Sequence, residues 1–418
     1  MYADVDVDAS LVYLPRRLFE LNHRVPLDLA LFFHTFLPPV ILYYATNILA
    51  LLGPKVFVYR LALLPVTLFT AYRTVVSLDI AGSFLATDVD KLAYMNEAMA
   101  LAMFIVCTRS LARTFGSTPQ RLRRVSQTTD RTKTQVALDA ADLSFNLRGC
   151  GWNFSESMKQ PPYTRPLSPK SAFLTRAWQS LILHIIMFDF LHYASQQFGP
   201  DTIGSTTGGS IYDMSVIDPS IRYLRSTVLN VLVGMAIYGG VQIGHDAFAI
   251  IGVTIFLQSP TEWPPIFRSP WLSTSLTDFW AARWHQLFRQ DFIAIGGKPL
   301  SLVAGRAGGV LGAFFVSGIL HYIGLWGMHG VSDLRVLLFF LVMGLGVILE
   351  GLWSQCSGMR VRGWFGWIWT AVWLVTVGPL MTDPWCQNGI MGSVFLPQAI
   401  RPSTIFHAAM KGVLDFIG

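Results

Sequence analysis

The sequence predicts an all-α, polytopic membrane helix bundle on three observations: eight apolar stretches of spanning length, a charged fraction of only 13%, and one long loop in which basic residues collect. Of the 418 residues, 52% are hydrophobic and 13% aromatic. Soluble domains carry roughly 25% charged residues, so this is the composition of a chain dissolved in lipid. The apolar runs recur from residue 28 to residue 412, which leaves no room for a large soluble domain.

A hydrocarbon core of about 30 Å needs about 20 apolar residues in helix, because each backbone polar group must be satisfied within the segment. The stretches that meet this length are 28–52, 56–78, 92–109, 171–198, 226–257, 302–328, 334–353 and 363–382. A ninth, 390–412, contains Pro397, Arg401 and Pro402 and reads as a re-entrant or interfacial piece. The expected organisation is an amino-terminal segment 1–27 followed by one membrane-embedded domain, 28–418, with a basic cytoplasmic loop at 110–170 and a cytoplasmic interfacial segment at 258–300. Pro38-Pro39 and Pro65 are expected to kink the first two helices. Glycines four apart, Gly305 with Gly309, Gly308 with Gly312 and Gly240 with Gly244, allow close approach of helix backbones.

The formal net charge of +6 does not imply a nucleic-acid partner, because the excess sits largely in one loop. That loop carries Arg113, Arg121, Arg123, Arg124, Arg131, Lys133, Arg148, Lys159, Arg165 and Lys170, and the positive-inside rule makes it cytoplasmic. Counting crossings from it places the acidic loops 79–91 and 199–225 on the far side. The amino terminus then also falls on the far side, against the charge of Arg16, Arg17 and Arg24. The four scattered cysteines form neither a disulfide framework nor a metal-ligand pattern.

Two segments carry chemistry. Residues 272–292 are amphipathic: at helical spacing Leu276, Phe279, Trp280, Arg283, Trp284 and Leu287 share one face, with Asp278, His285 and Arg289 on the other flank. Such a helix is expected along the membrane interface with a polar edge turned to a cavity. His321 sits two thirds of the way through the sixth apolar stretch, where a titratable group is a functional hypothesis by default. An uncharged imidazole there suits a general base acting on a hydroxyl.

Weaker candidates surround these. His184, Asp189 and His192 share a helix without the convergence a metal needs, so no metal site is expected. His245-Asp246 reads as an interhelical polar pair or the lining of a cavity, and Glu350 as a side chain reaching the headgroups. No Gly-rich phosphate loop and no GxSxG elbow is present.

The run Ser275-Leu276-Thr277-Asp278-Phe279-Trp280-Ala281-Ala282-Arg283-Trp284-His285, followed 36 residues later by His321 in an apolar helix, resembles the membrane-bound O-acyltransferase family. Within it the likeness is to the wax-synthase-like branch common in fungi, which often shows an Arg-Gly-x-Gly-Trp like the Arg148, Gly149, Gly151 and Trp152 found here. The likeness covers roughly residues 145–380. It implies a bundle with an internal tunnel, His321 as the catalytic histidine, His285 as the second catalytic position, and Asp278, Trp280, Arg283 and Trp284 in support. The family usually has Gly-Arg-Arg where this chain has Ala281-Ala282-Arg283, so one arginine is missing.

The resemblance further implies transfer of an acyl group from acyl-CoA, with acetyl-CoA favoured, to a lipophilic alcohol. The expected acceptor is a terpenoid or meroterpenoid hydroxyl in fungal secondary metabolism, and wax-ester synthesis from a long-chain alcohol is the alternative. No cofactor is expected to be bound, since acyl-CoA is a co-substrate whose phosphates would meet the basic loop and Arg283, Arg289 or Lys298. Membrane lipid and the alcohol are the expected partners, and the endoplasmic reticulum the expected location. A reading from another class is a proton-coupled transporter using His184, Asp189, His245, Asp246 and His321, though the internal repeats common in transporters are not found.

Overall fold

The computed structural model describes residues 21–417 apart from 22, 85–87, 123–131, 157 and 159. Arg16 and Arg17 of the amino terminus, and Arg123, Arg124, Arg131 and Lys159 of the basic loop, lie outside the described residues.

The chain is an integral, multi-pass helix bundle. Its principal helices are α1 (Leu37–Leu51), α2 (Phe57–Ser77), α3 (Tyr94–Phe115), α4 (Lys133–Phe145), α5 (Lys170–Gln196), α6 (Pro219–Thr254), α7 (Lys298–His329), α8 (Leu334–Ser357), α9 (Gly363–Val377), α10 (Pro379–Gln387) and α11 (Pro402–Ile417). Among the described residues, eight helical runs are long and apolar enough to cross a membrane: 29–51, 54–77, 89–115, 170–196, 219–254, 289–329, 334–357 and 363–387. Each overlaps one expected stretch. The ninth stretch becomes short turns and then α11, tied to α5 where Ser403 N donates to Asp189 at 2.6 Å.

Burial runs opposite to that of a soluble protein. Ile41, Phe69, Ile182, Leu183 and Leu352 are exposed on the helix exteriors, while Asn47, Thr67, Thr74 and Arg109 are buried between helices. Lipid supplies no hydrophobic drive between helices, so polar contacts and close packing hold them together. Arg24 belongs to this framework: its guanidinium donates to Val75 O at 2.9 Å and Gly327 O at 2.7 Å.

The feature that builds the site is a hairpin within the run 289–329. Ala304 and Gly305 leave helical geometry, Gly305 at φ 57°, a left-handed conformation that glycine adopts without a Cβ penalty. The chain therefore doubles back, and residues 289–303 pack antiparallel against 306–329. Gly296 lies against Gly312 so closely that a Cβ on either would collide with the carbonyl of the other, and Gly308 lies as tightly on Leu300. Gly308 and Gly312 thus serve close packing as expected, whereas Gly305 makes the turn. With 296 opposite 312 and 300 opposite 308, the register brings residue 288 to the depth of Leu320 and His321.

Candidate active site

His321 lies on the returning arm of α7. Its ring is stacked on Phe340 of α8 with centroids 4.4 Å apart, and Trp385 of α10 lies 6.4 Å away. The Nδ1 atom is 2.8 Å from Ser317 O, one turn back on the same helix. A carbonyl can only accept, so Nδ1 carries the hydrogen and Nε2 of the neutral ring presents a lone pair. The ring keeps some accessible surface despite its aromatic surroundings.

The segment that carries His285 is not the continuous amphipathic helix expected for 272–292. A single turn, Leu276–Asp278, is followed by a π-type turn, Phe279–Arg283, and Trp284 is extended at φ −78° and ψ 154°. The reason is capping from outside the segment. At its start, Ser275 Oγ accepts from Asp278 N at 2.9 Å, while the Glu350 carboxylate accepts from Leu276 N at 2.6 Å and Thr277 N at 2.9 Å. At its end, Arg268 N donates to Arg283 O at 3.0 Å, and Gln286 Nε2 donates to Trp280 O and Trp284 O. Once those carbonyls are satisfied, the helix has no reason to continue. Leu276, Phe279 and Gln286 of this segment are buried against the protein. Glu350 is likewise no headgroup residue, since it is 7% exposed and also accepts from Trp369 Nε1 at 3.0 Å.

Leaving the helix turns His285 inward. Its ring meets Phe267 edge-on with centroids 5.8 Å apart, and its buried Nδ1 has no hydrogen-bond partner. Burial, reinforced by the neighbouring His321 imidazole and Arg148 guanidinium, pushes its pKa down to about 3. The two imidazoles belong to one connected group of rings, His321 against Phe340, Phe340 near Trp280, Trp280 near Trp284, and Trp284 against His285. Trp280 links the regions, with Phe314 at 5.6 Å and Phe340, the residue stacked on His321, at 6.4 Å.

The other expected residues act as framework. Arg283 Nε pairs with Asp278 at 2.5 Å, and Arg283 Nη1 donates to Arg268 O and Ser269 O, which ties its guanidinium to the turn. Trp284 stacks on Phe279 at 5.2 Å. In the basic loop, Gly149 and Gly151 adopt φ 66° and 86°, and a Cβ on Gly149 would strike the Phe154 ring. Trp152 is fully buried, donates to Asp142 at 2.6 Å and lies under Arg121. Arg148 is turned toward the site: Nη1 donates to Pro264 O at 2.8 Å and Pro265 O at 3.1 Å, which clamps the loop onto the irregular segment that leads to Phe267.

Residues missed in the sequence complete the setting. Arg109 of α3 pairs with Asp291 at 3.1 Å, both buried, and its remaining donors reach Tyr43 Oη, Leu143 O, Asn146 O and Leu147 O. One guanidinium so fastens the outgoing hairpin arm to α1, α3 and the basic loop. The readable signal was two opposite charges placed singly in apolar runs.

Of the groups in the proton-path reading, His184, His245 and Asp246 gather in one cluster and Asp189 pairs with Arg401 in another, while His321 belongs to neither. Asp246 accepts from Ser180 at 2.6 Å and Gln242 at 2.8 Å and pairs with Arg165, while His245 Nε2 bonds Pro264 O at 3.2 Å. Asp189 pairs with Arg401, and His192 bonds Met391 O at 2.8 Å. The first of these is the expected interhelical polar pair at His245-Asp246.

Residues 263–342, which hold both histidines, match the membrane bound O-acyl transferase family. The chain is 26% identical over 270 residues to acetyltransferase spyB of Aspergillus fumigatus, covering 56% of this chain and 45% of that one. It is 23% identical over 270 residues to acetyltransferase eriL of Hericium erinaceus (60% and 67% covered) and 25% identical over 247 residues to acetyltransferase aurG of Calcarisporium arbuscula (54% and 60%). The chain thus spans about half to two thirds of the length of these relatives.

Proposed function

We propose that this chain, which belongs through residues 263–342 to the membrane bound O-acyl transferase family, transfers an acyl group from acyl-CoA to the hydroxyl of a lipophilic alcohol. The observation that carries the reading is the hydrogen bond from His321 Nδ1 to Ser317 O, because it leaves Nε2 of a neutral ring as the proton acceptor.

Nε2 of His321 removes the hydroxyl proton as the oxygen attacks the thioester carbon. The Nε2–H tautomer of His285 donates to the oxygen on which negative charge develops, in a site where water would otherwise compete. The tetrahedral species collapses, the carbon–sulfur bond breaks, the thiolate takes the proton from His321, and ester and free CoA leave. The proton returns to the leaving group, so the ring is restored and no covalent acyl-enzyme forms. Asp278, Trp280, Arg283 and Trp284 hold His285 in place, and the Arg148–Trp152 loop holds the Pro264–Phe267 segment that meets its ring.

Acetyl-CoA is the proposed donor, supported by the acetyltransferase names of the three relatives. A terpenoid or meroterpenoid alcohol is the proposed acceptor, and the endoplasmic reticulum membrane the proposed location. The test is thiol release and product analysis with purified protein in detergent, crossing acetyl-CoA and a long-chain acyl-CoA with a terpenoid alcohol and a fatty alcohol. Turnover of acetyl-CoA with the terpenoid is expected. Preference for the long-chain pair would make the chain a wax-ester synthase, and the absence of thiol release with every pair would sink acyl transfer.

A further inference from the structure

The buried acids of the spans are nearly all spoken for. Asp189, Asp246, Asp291 and Asp383 each pair with an arginine, and Glu350 caps a helix turn while holding Trp369. Glu97, partly buried in the first turn of α3, differs from them: it makes no hydrogen bond or ion pair with any described residue. An unpaired carboxyl in a membrane-spanning run is a functional hypothesis by default.

Its placement is specific. Gly324 and Gly327 of α7 form a notch against α3: a Cβ at Gly324 would lie 3.4 Å from Glu97 Cγ and 2.9 Å from Leu101, and one at Gly327 would lie 3.5 Å from Glu97 Cα. Gly324 is one turn beyond His321, about 4.5 Å along the helix axis. Tyr94, one turn before Glu97, packs with Leu325, Met328, Phe395 and Trp385 in an apolar cluster, and Trp385 is also a neighbour of the His321 ring. Glu97 is partly buried, so its side chain keeps accessible surface beside this cluster.

We infer that Glu97 is an acceptor-recognition residue: its carboxyl takes a hydrogen bond from a second hydroxyl of the alcohol, while the first hydroxyl is presented to His321. The preferred acceptor is then a lipophilic diol or polyol, not a simple fatty alcohol. The apolar cluster takes the hydrocarbon skeleton, and the glycine notch lets the carboxyl sit within one turn of the base. This inference rests on the acyl-transfer reading for the identity of the ligand, but not for the unpaired state of Glu97.

The experiment uses the full-length protein in detergent with a mono-ol and a diol of the same carbon skeleton. Two quantities are read for wild type, Glu97→Gln and Glu97→Leu: the diol-to-mono-ol ratio of kcat/KM, and the rise in unfolding midpoint that each alcohol produces without acyl-CoA. A hydrogen bond to a charged group gives a ratio of about tenfold or more. Wild type is expected to favour the diol in both quantities, Glu97→Gln to weaken that preference, and Glu97→Leu to remove it while raising the midpoint of the ligand-free protein. An unchanged preference in Glu97→Leu, or a lower ligand-free midpoint, would overturn the inference. Because the midpoint shift needs no turnover, absence of transfer in every protein would fail the reaction reading and still leave the diol preference to decide the role of Glu97.

Discussion

His321 and His285 reach the same depth by opposite routes. His321 is held by its own helix, through a bond to a carbonyl four residues back and an aromatic partner on the next helix. His285 is held from elsewhere: by Glu350 at the start of its turn, Arg268 and Gln286 at the end, the Arg148 clamp beneath, and the Arg109–Asp291 pair behind. A proton acceptor fixed by local geometry and a donor fixed by distant contacts differ in what disturbs them. Damage around His321 should touch chemistry alone, whereas His285 should respond to changes far along the chain.

The largest expected effect is at the base. His321→Ala should lower kcat by about 10³-fold, within the 10²–10⁴ that general-base catalysis contributes, with the unfolding midpoint in detergent little changed; near-normal turnover would remove His321 from the mechanism. Next is the tether of the His285 arm. Asp291→Ala leaves Arg109 buried and uncompensated, at a cost of about 3–5 kcal/mol, so the midpoint and the activity should fall together. If activity falls alone, Asp291 has a chemical role that the pairing conceals.

His285→Ala should cost about 10²-fold in kcat, as for loss of a donor to a developing oxyanion. An effect confined to KM would instead make His285 a binding residue. Glu350→Gln keeps the shape but weakens the cap, by about 1 kcal/mol on the scale of helix caps. The comparison requires that activity drop more in this variant than in a like substitution on the lipid face of α8.

The last expected effect is a pH dependence. His285 has a folded pKa of about 3, below the ordinary 6.5, so the unfolded chain binds the extra proton between those values. Stability should therefore be full above about pH 6.5 and decline as the pH falls toward 3. His285→Gln should flatten that decline, and an unchanged slope would show that other groups produce it.

Much of the bundle is legible in residue order because a spanning helix satisfies its own backbone; eight apolar runs need no partner to be read. His321 is legible for the same reason, as a titratable side chain in such a run. The His285 segment is not, because its turns are held by contacts that spacing does not show. The pattern of Leu276, Phe279, Trp280 and Trp284 is helical; the Arg268 amide and the Gln286 side chain, which take the Arg283, Trp280 and Trp284 carbonyls, decide otherwise. Glu350 was visible as a charge near a helix end, where the headgroups were the simpler destination. The hairpin was hidden because a glycine that turns the chain looks in sequence like a glycine that packs, and Gly305 sits among several of the latter.

The Leu276 amide depends on a carboxylate 74 residues downstream, and Trp369 grips that carboxylate from 19 residues further on. During synthesis, then, the sixth crossing enters the bilayer with its imidazole in place but with the opposing turn still uncapped. Only after the seventh and eighth crossings have been inserted can the proposed catalytic pair be assembled. A nascent or truncated chain accordingly carries a base without its counterpart, and a half-made protein should leave the cellular thioester pool untouched.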